Sequence, residues 1–145
     1  MSGFPTPTEA LANQFCQKTL PKSQWTHEAH LRVGLWHVLR HGGDEALGLL
    51  RTRIQAFNEA TGVANTDTSG YHETITRFYV VLFAWFLAKG PANRELEDLA
   101  DEVLRRFGDR QLPLKWYTRE RLFSVEARRT WVEPDLQTLP GNSAG

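Results

Sequence analysis

Cysteine is nearly absent from this chain. Cys16 stands alone, which excludes an internal disulfide framework and any cysteine-rich zinc module. An excess of charge is absent too: 17 Lys and Arg meet 17 Asp and Glu. That balance argues against a bulk polyanion binder such as a nucleic-acid coat protein and leaves room only for a local basic patch. No Lys or Arg precedes Lys18, so a basic n-region is missing and no secretory signal is expected. Long hydrophobic runs are missing as well. The longest, Phe78 to Ala88, falls roughly seven residues short of the shortest membrane span. No segment shows strand period, and no internal repeat is visible. What remains is one domain of 145 residues with 41% hydrophobic content, ordinary for a globular chain and expected in the cytoplasm.

What the sequence does have is helical spacing with punctuation. A first helix is expected from Thr8, as N-cap, to Lys18, with Leu11 and Phe15 on one face and Pro21 beyond its end. A second opens at Thr26 and runs to His41 before Gly42-Gly43. A third starts at Asp44, carries Leu47, Leu50, Ile54 and Phe57, and stops at Gly62. The fourth spans Tyr71 to Lys89 and the fifth Asn93 to Phe107, capped by Asn93. Thr118 and Ser124 can each cap a short turn of helix. The fold class is therefore all-α, a bundle of four to five main helices over residues 1–133, with a loose tail over 134–145. Short connections imply an up-down-up-down path, in which helices two and four run the same way and begin at the same end.

Four of the five histidines sit on the second helix. At about 100° per residue, His27, His30, His37 and His41 share a stripe roughly 80° wide that also contains Gly34. His41, next to the helix C-terminus, is expected to serve the helix dipole alone. The fifth, His72, opens the fourth helix, where His72, Thr76, Tyr79 and Phe83 lie on one face of a very apolar segment. Glu73 and Arg77 fall elsewhere and are expected to pair at the surface.

With helices two and four starting together, His27, His30 and His72 are expected to converge. Three neutral imidazoles with one open position form a known catalytic metal set, and helix N-termini keep imidazoles neutral. The candidate cofactor is one divalent transition metal: Zn, Fe, Mn or Ni. Without a metal, His72 would act with Thr76 and Tyr79 as the catalytic groups. Capping or core histidines satisfied by backbone carbonyls are the plain structural alternative.

The loop before His72 contains Asn65, Thr66 and Asp67. These residue types build turns readily, and they can also reach over a bundle end to hold a ligand, with Asp67 orienting an imidazole. Between Arg105 and Arg129, eight basic residues face only three acidic ones, with Trp116, Tyr117 and Phe123 interleaved. Such a surface suits nucleic acid or an acidic partner, unless the aromatics anchor the segment to the bundle.

The strings WTHEAHL, NTDTSGYHETIT, YTRERLFS and ARRTWVEPDL resemble those of a family of small bacterial proteins with no assigned function. The resemblance spans most of the chain and assigns no chemical role to any residue.

The expectation is thus an enzyme with a His-lined pocket at one bundle end, acting on a small polar or anionic molecule by hydrolytic or lyase-type chemistry. The alternatives are an interaction module using the Arg105–Arg129 surface, and a small-molecule binder without turnover.

Overall fold

The computed structural model describes residues 5–91 and 93–141, and within them the chain is all-helical. The helices are α1 (Pro7–Gln17), α2 (His27–His41), α3 (Gly43–Ala60), α4 (Glu73–Lys89), α5 (Leu96–Phe107), α6 (Arg119–Leu122) and α7 (Val125–Arg129). Short 3-10 turns at Lys22–Gln24 and Leu112–Lys115 join them. None of the described helices is long and apolar enough to cross a membrane.

Most helix ends follow from capping chemistry. Thr26, Thr118 and Ser124 accept the orphan N–H groups of α2, α6 and α7, as their sequence positions suggest. Two caps differ from expectation. Thr6 begins α1 in a reciprocal capping box with Glu9, with Pro7 at the first helical position. Thr8 is instead buried, and its N–H and hydroxyl both donate to the Glu97 carboxylate, at 3.0 and 2.9 Å. Asn93 does not cap α5, which starts at Leu96.

α2 is the hub and packs against α1, α3, α4 and α5. α4 supplies much of the core through Phe78, Val80, Leu82, Phe83 and Phe86. α3 runs antiparallel to α4, since Gly43 faces Ala84 while Arg51 pairs with Glu73. α2 runs parallel to α4, with His27 against Tyr79 and Gly34 against Phe83. The expected direction holds, but the register is offset. His27 meets α4 at Tyr79, seven residues past His72, or about 10 Å along the axis.

The C-terminal segment is docked where a loose tail was expected from Pro134. Thr118 donates to Asp135 from both its N–H and its hydroxyl, at 2.9 and 2.7 Å. Leu136 N–H reaches the Trp116 carbonyl at 2.9 Å, and Leu139 is buried. The Thr74 hydroxyl, on α4, donates to the Thr130 carbonyl and accepts from Val132 N–H. The packed domain therefore extends through Gly141, which lies against Trp85; residues 142–145 of the expected tail fall outside the described residues.

Candidate functional site

The offset between α2 and α4 opens a cavity of about 440 Å³, bounded by α2, α3, α4 and the segment from Arg110 to Phe123. That volume lies in the range of small-molecule sites. Its walls are largely apolar, with Leu31, Leu50, Ile54, Ile75, Val80, Phe83, Leu114 and Leu122 among them. The polar side chains His27, Thr76 and Tyr79 interrupt this lining, and Thr26, His30, Arg110, Gln111 and Arg119 contribute to it as exposed residues.

His27 and Tyr79 form the core of the site. Their rings stand T-shaped, with centroids 6.3 Å apart. His27 Nε2 and the Tyr79 hydroxyl are both buried, and neither has a hydrogen-bond partner among the described residues. Burial lowers the pKa of His27 and the Arg110 charge lowers it further, against the backbone of Gly108 and the Asp109 carboxylate. Burial pushes the Tyr79 phenol upward, and Asp109 adds to that rise. At neutral pH the pair is a neutral imidazole beside a protonated phenol.

His30 presents a single free nitrogen. Its Nδ1–H donates to the Thr26 carbonyl at 2.7 Å, which leaves Nε2 as an unprotonated acceptor. The ring stacks on Trp25 at 3.8 Å between centroids, and its edge stays open to the cavity. The residue as a whole is exposed, with its ring lying between Trp25 and the cavity. The Thr76 hydroxyl donates to the His72 carbonyl at 2.8 Å, so toward the cavity it has only lone pairs to offer.

His72 does not join this group, contrary to the metal and catalytic roles expected for it. It is the N-cap of α4: Nδ1 accepts from Ile75 N–H at 3.1 Å, and Nε2–H donates to the Leu122 carbonyl at 2.8 Å. Both nitrogens are committed, and the residue is absent from the cavity lining. Among the described residues no three His, Cys, Asp or Glu side chains come together as a metal-binding group.

The loop residues Asn65, Thr66 and Asp67 also lie elsewhere, along a second and more open cleft of about 430 Å³ with Arg51, Tyr71 and Glu73. Asn65 is a structural clamp, its Oδ1 accepting from Asn58 and from Tyr71 N–H while its Nδ2 donates to the Gln55 carbonyl. Gly70, at φ +80°, closes the loop so tightly that a Cβ would stand 2.6 Å from the Ala64 carbonyl oxygen. Thr66 accepts from Thr68 N–H, and Asp67 holds Arg129 at the surface through two bonds. Glu73 is buried and binds Arg51 at 2.9 and 2.6 Å and the Tyr71 hydroxyl at 2.7 Å. The expected Glu73–Arg77 surface pair is therefore replaced, and Arg77 stacks over Trp131.

The remaining histidines are structural. His37 is fully buried, donates from Nδ1 to the Val33 carbonyl at 2.8 Å and accepts from Arg53 at Nε2 at 2.9 Å. His41 contacts Glu45. The basic segment is spent largely on docking: Arg121 binds the Glu133 carbonyl, Arg128 the Gly70 and Tyr71 carbonyls, and Tyr117 is buried with its hydroxyl on Val132.

Sequence reasoning missed Trp25 and Gln111, and it read Arg110 and Arg119 as part of the Arg105–Arg129 basic surface, away from the pocket they line. None lies on the periodic face of a long helix, so the one signal available was the row of bulky and basic residues after Gly108. Compared with protein-family models, curated proteins and solved structures, the chain matches none.

Proposed function

We propose that this protein is an enzyme acting on a small molecule in the α2–α3–α4 cavity, with His27 as general base and Tyr79 as general acid. The observation that carries this reading is the pair of unpartnered buried polar atoms, His27 Nε2 and the Tyr79 hydroxyl, on neighbouring rings that both line the cavity. A buried polar group left unpaired costs on the order of 1–3 kcal/mol, and such groups in folded proteins normally have a partner. A ligand oxygen reaching both would supply it.

The chemistry suits proton transfer next to a polarised oxygen. His27, neutral at Nε2, removes a proton, and the Tyr79 phenol donates to the oxygen on which charge develops. His30 Nε2 and Thr76 Oγ1 orient the substrate by accepting its N–H or O–H groups. This pattern supports elimination or isomerisation, and hydrolysis where a water replaces the carbon acid. A bacterial cytoplasm is the setting we propose for it, a reading supported by the resemblance of its strings to bacterial proteins and by its single unpaired thiol.

A metal-assisted version with Zn, Fe, Mn or Ni has one supporting observation, the free Nε2 atoms of His27 and His30. It would draw its remaining ligands from the substrate or water. Elemental analysis of untagged protein decides it: a stoichiometric metal lost in a His27→Gln, His30→Gln double variant supports it, and its absence removes it.

The acid–base reading is tested by incubating the protein with a filtered bacterial metabolite extract and following the composition by mass spectrometry. The wild type is expected to convert at least one compound, while folded His27→Gln and Tyr79→Phe do not. Equal conversion by both variants would overturn the assignment.

A further inference from the structure

Five of the chain's arginines, Arg32, Arg51, Arg94, Arg106 and Arg129, hold a carboxylate within salt-bridge distance. Arg110 and Arg119, both on the cavity lining, form no ion pair and no side-chain hydrogen bond among the described residues, and both are exposed. Two free guanidinium forks therefore border a pocket whose interior is built from Leu31, Ile54, Ile75, Val80 and Phe83. We infer that the natural ligand is a carboxylic acid with an apolar body and a hydroxyl group, its carboxylate held by Arg110 and Arg119 and its hydroxyl between His27 and Tyr79, donating to the first and accepting from the second. This rests on the acid–base reading of the same site and adds the class of substrate.

The charge count selects the carboxylate. Arg110 and Arg119 bring two positive charges, and Asp109, close enough to act on both His27 and Tyr79, brings one negative. The histidines are neutral and add none. One net positive charge matches a monoanion, whereas a phosphate monoester, near two negative charges, would be left half-compensated. A planar carboxylate also fits the guanidinium fork through two parallel hydrogen bonds. The walls disfavour sugars and other polyols, because Leu31, Ile54, Ile75, Val80 and Phe83 would strip water from hydroxyl groups without replacing its hydrogen bonds.

Isothermal titration with 3-phenyllactate and 2-hydroxy-4-methylpentanoate, their neutral amides, and phenyl phosphate tests the inference. The acids are expected to bind about tenfold or more tightly than the amides. Arg110→Gln and Arg119→Gln should each erase much of that preference by weakening the acids several-fold more than the amides, and since both side chains are exposed the fold should survive. Amides that bind as well as the acids, phenyl phosphate binding more tightly than either acid, or no binding by any acid would overturn it. If the amides match the acids and Tyr79→Phe still weakens both, the substrate class fails and the acid–base pair stands. If the arginine dependence appears but conversion ignores His27 and Tyr79, the acid–base pair fails instead.

Discussion

Gly34 on α2 lies against the ring of Phe83 on α4, where a Cβ at residue 34 would stand 3.4 Å from Phe83 Cε2. This absent side chain leaves room in the cavity wall. Gly34→Ala is expected to fit at the edge of ordinary contact, and helix propensity favours it by up to about 1 kcal/mol. Gly34→Leu should extend a side chain along the lining and exclude ligand while the fold persists. The check is urea unfolding of both variants together with titration of the two acid probes. Loss of binding in the leucine variant without loss of cooperative unfolding is the expected outcome.

The Tyr79 hydroxyl is buried without a partner, so its removal should relieve a cost in the unliganded protein. Tyr79→Phe keeps the ring that packs against Phe78 and Phe83. The variant is expected to be as stable as wild type or more so, by up to about 1–3 kcal/mol, while losing conversion of substrate. Thermal and urea unfolding beside the turnover assay test the pair of outcomes. A clear loss of stability would mean that the hydroxyl already has a structural partner.

How much of this was legible in the sequence depended on the range of the interaction. Local signals were read correctly: the Thr26, Thr118 and Ser124 caps, the Gly62 stop of α3, and the all-helical class follow from bonds within a few residues. The pocket's His27, His30, Thr76 and Tyr79 were also identified, because polar residues on apolar helix faces stand out. The offset of α2 along α4 was not readable. It is set by side-chain packing such as Gly34 on Phe83, and it decides that Tyr79, not His72, meets His27. Arg110 enters through irregular chain and Arg119 through the single turn of α6, neither long enough to show a period that reveals a face. Docking of the tail likewise rests on long-range bonds, from Trp116 and Thr118 to residues 135 and 136.

His72 ties two distant parts of the chain, capping α4 with one nitrogen and holding the Leu122 carbonyl with the other. His72→Ala removes both bonds, and the stability loss should reach about 2–4 kcal/mol. His72→Asn retains a good N-cap and should recover part of it. Affinity for the acid probes should stay within about twofold of wild type once the protein is folded, since the ring does not line the cavity. Unfolding curves and titration on the same samples separate the effects; a folded His72→Ala that no longer binds would return this residue to the site.

Acid should weaken the fold through its histidines before the carboxylates titrate. Burial lowers the pKa values of His27, His37 and His72 in the native state, and for His37 the nearby Arg53 and His41 add to the effect, bringing it to about 4. Unfolded imidazoles take up protons near the ordinary value of about 6.5, so below that pH the unfolded chain binds more protons than the native one. Stability therefore falls as pH drops from about 6.5 toward 4, and above about 7 these groups contribute nothing either way. The sign is fixed by the neutral form being native: each excess proton on the unfolded chain costs about 1.4 kcal/mol per pH unit. For the fully buried His37 the loss by pH 4 is on the order of 3 kcal/mol. Urea unfolding at pH 7.5, 6.5, 5.5 and 4.5 should show this decline. His37→Gln, less stable at neutral pH because the Arg53 and Val33 contacts are disturbed, should show a shallower slope by about one proton. An identical slope in the variant would mean that His37 is protonated in the folded protein, and its contact with Arg53 would then have to break.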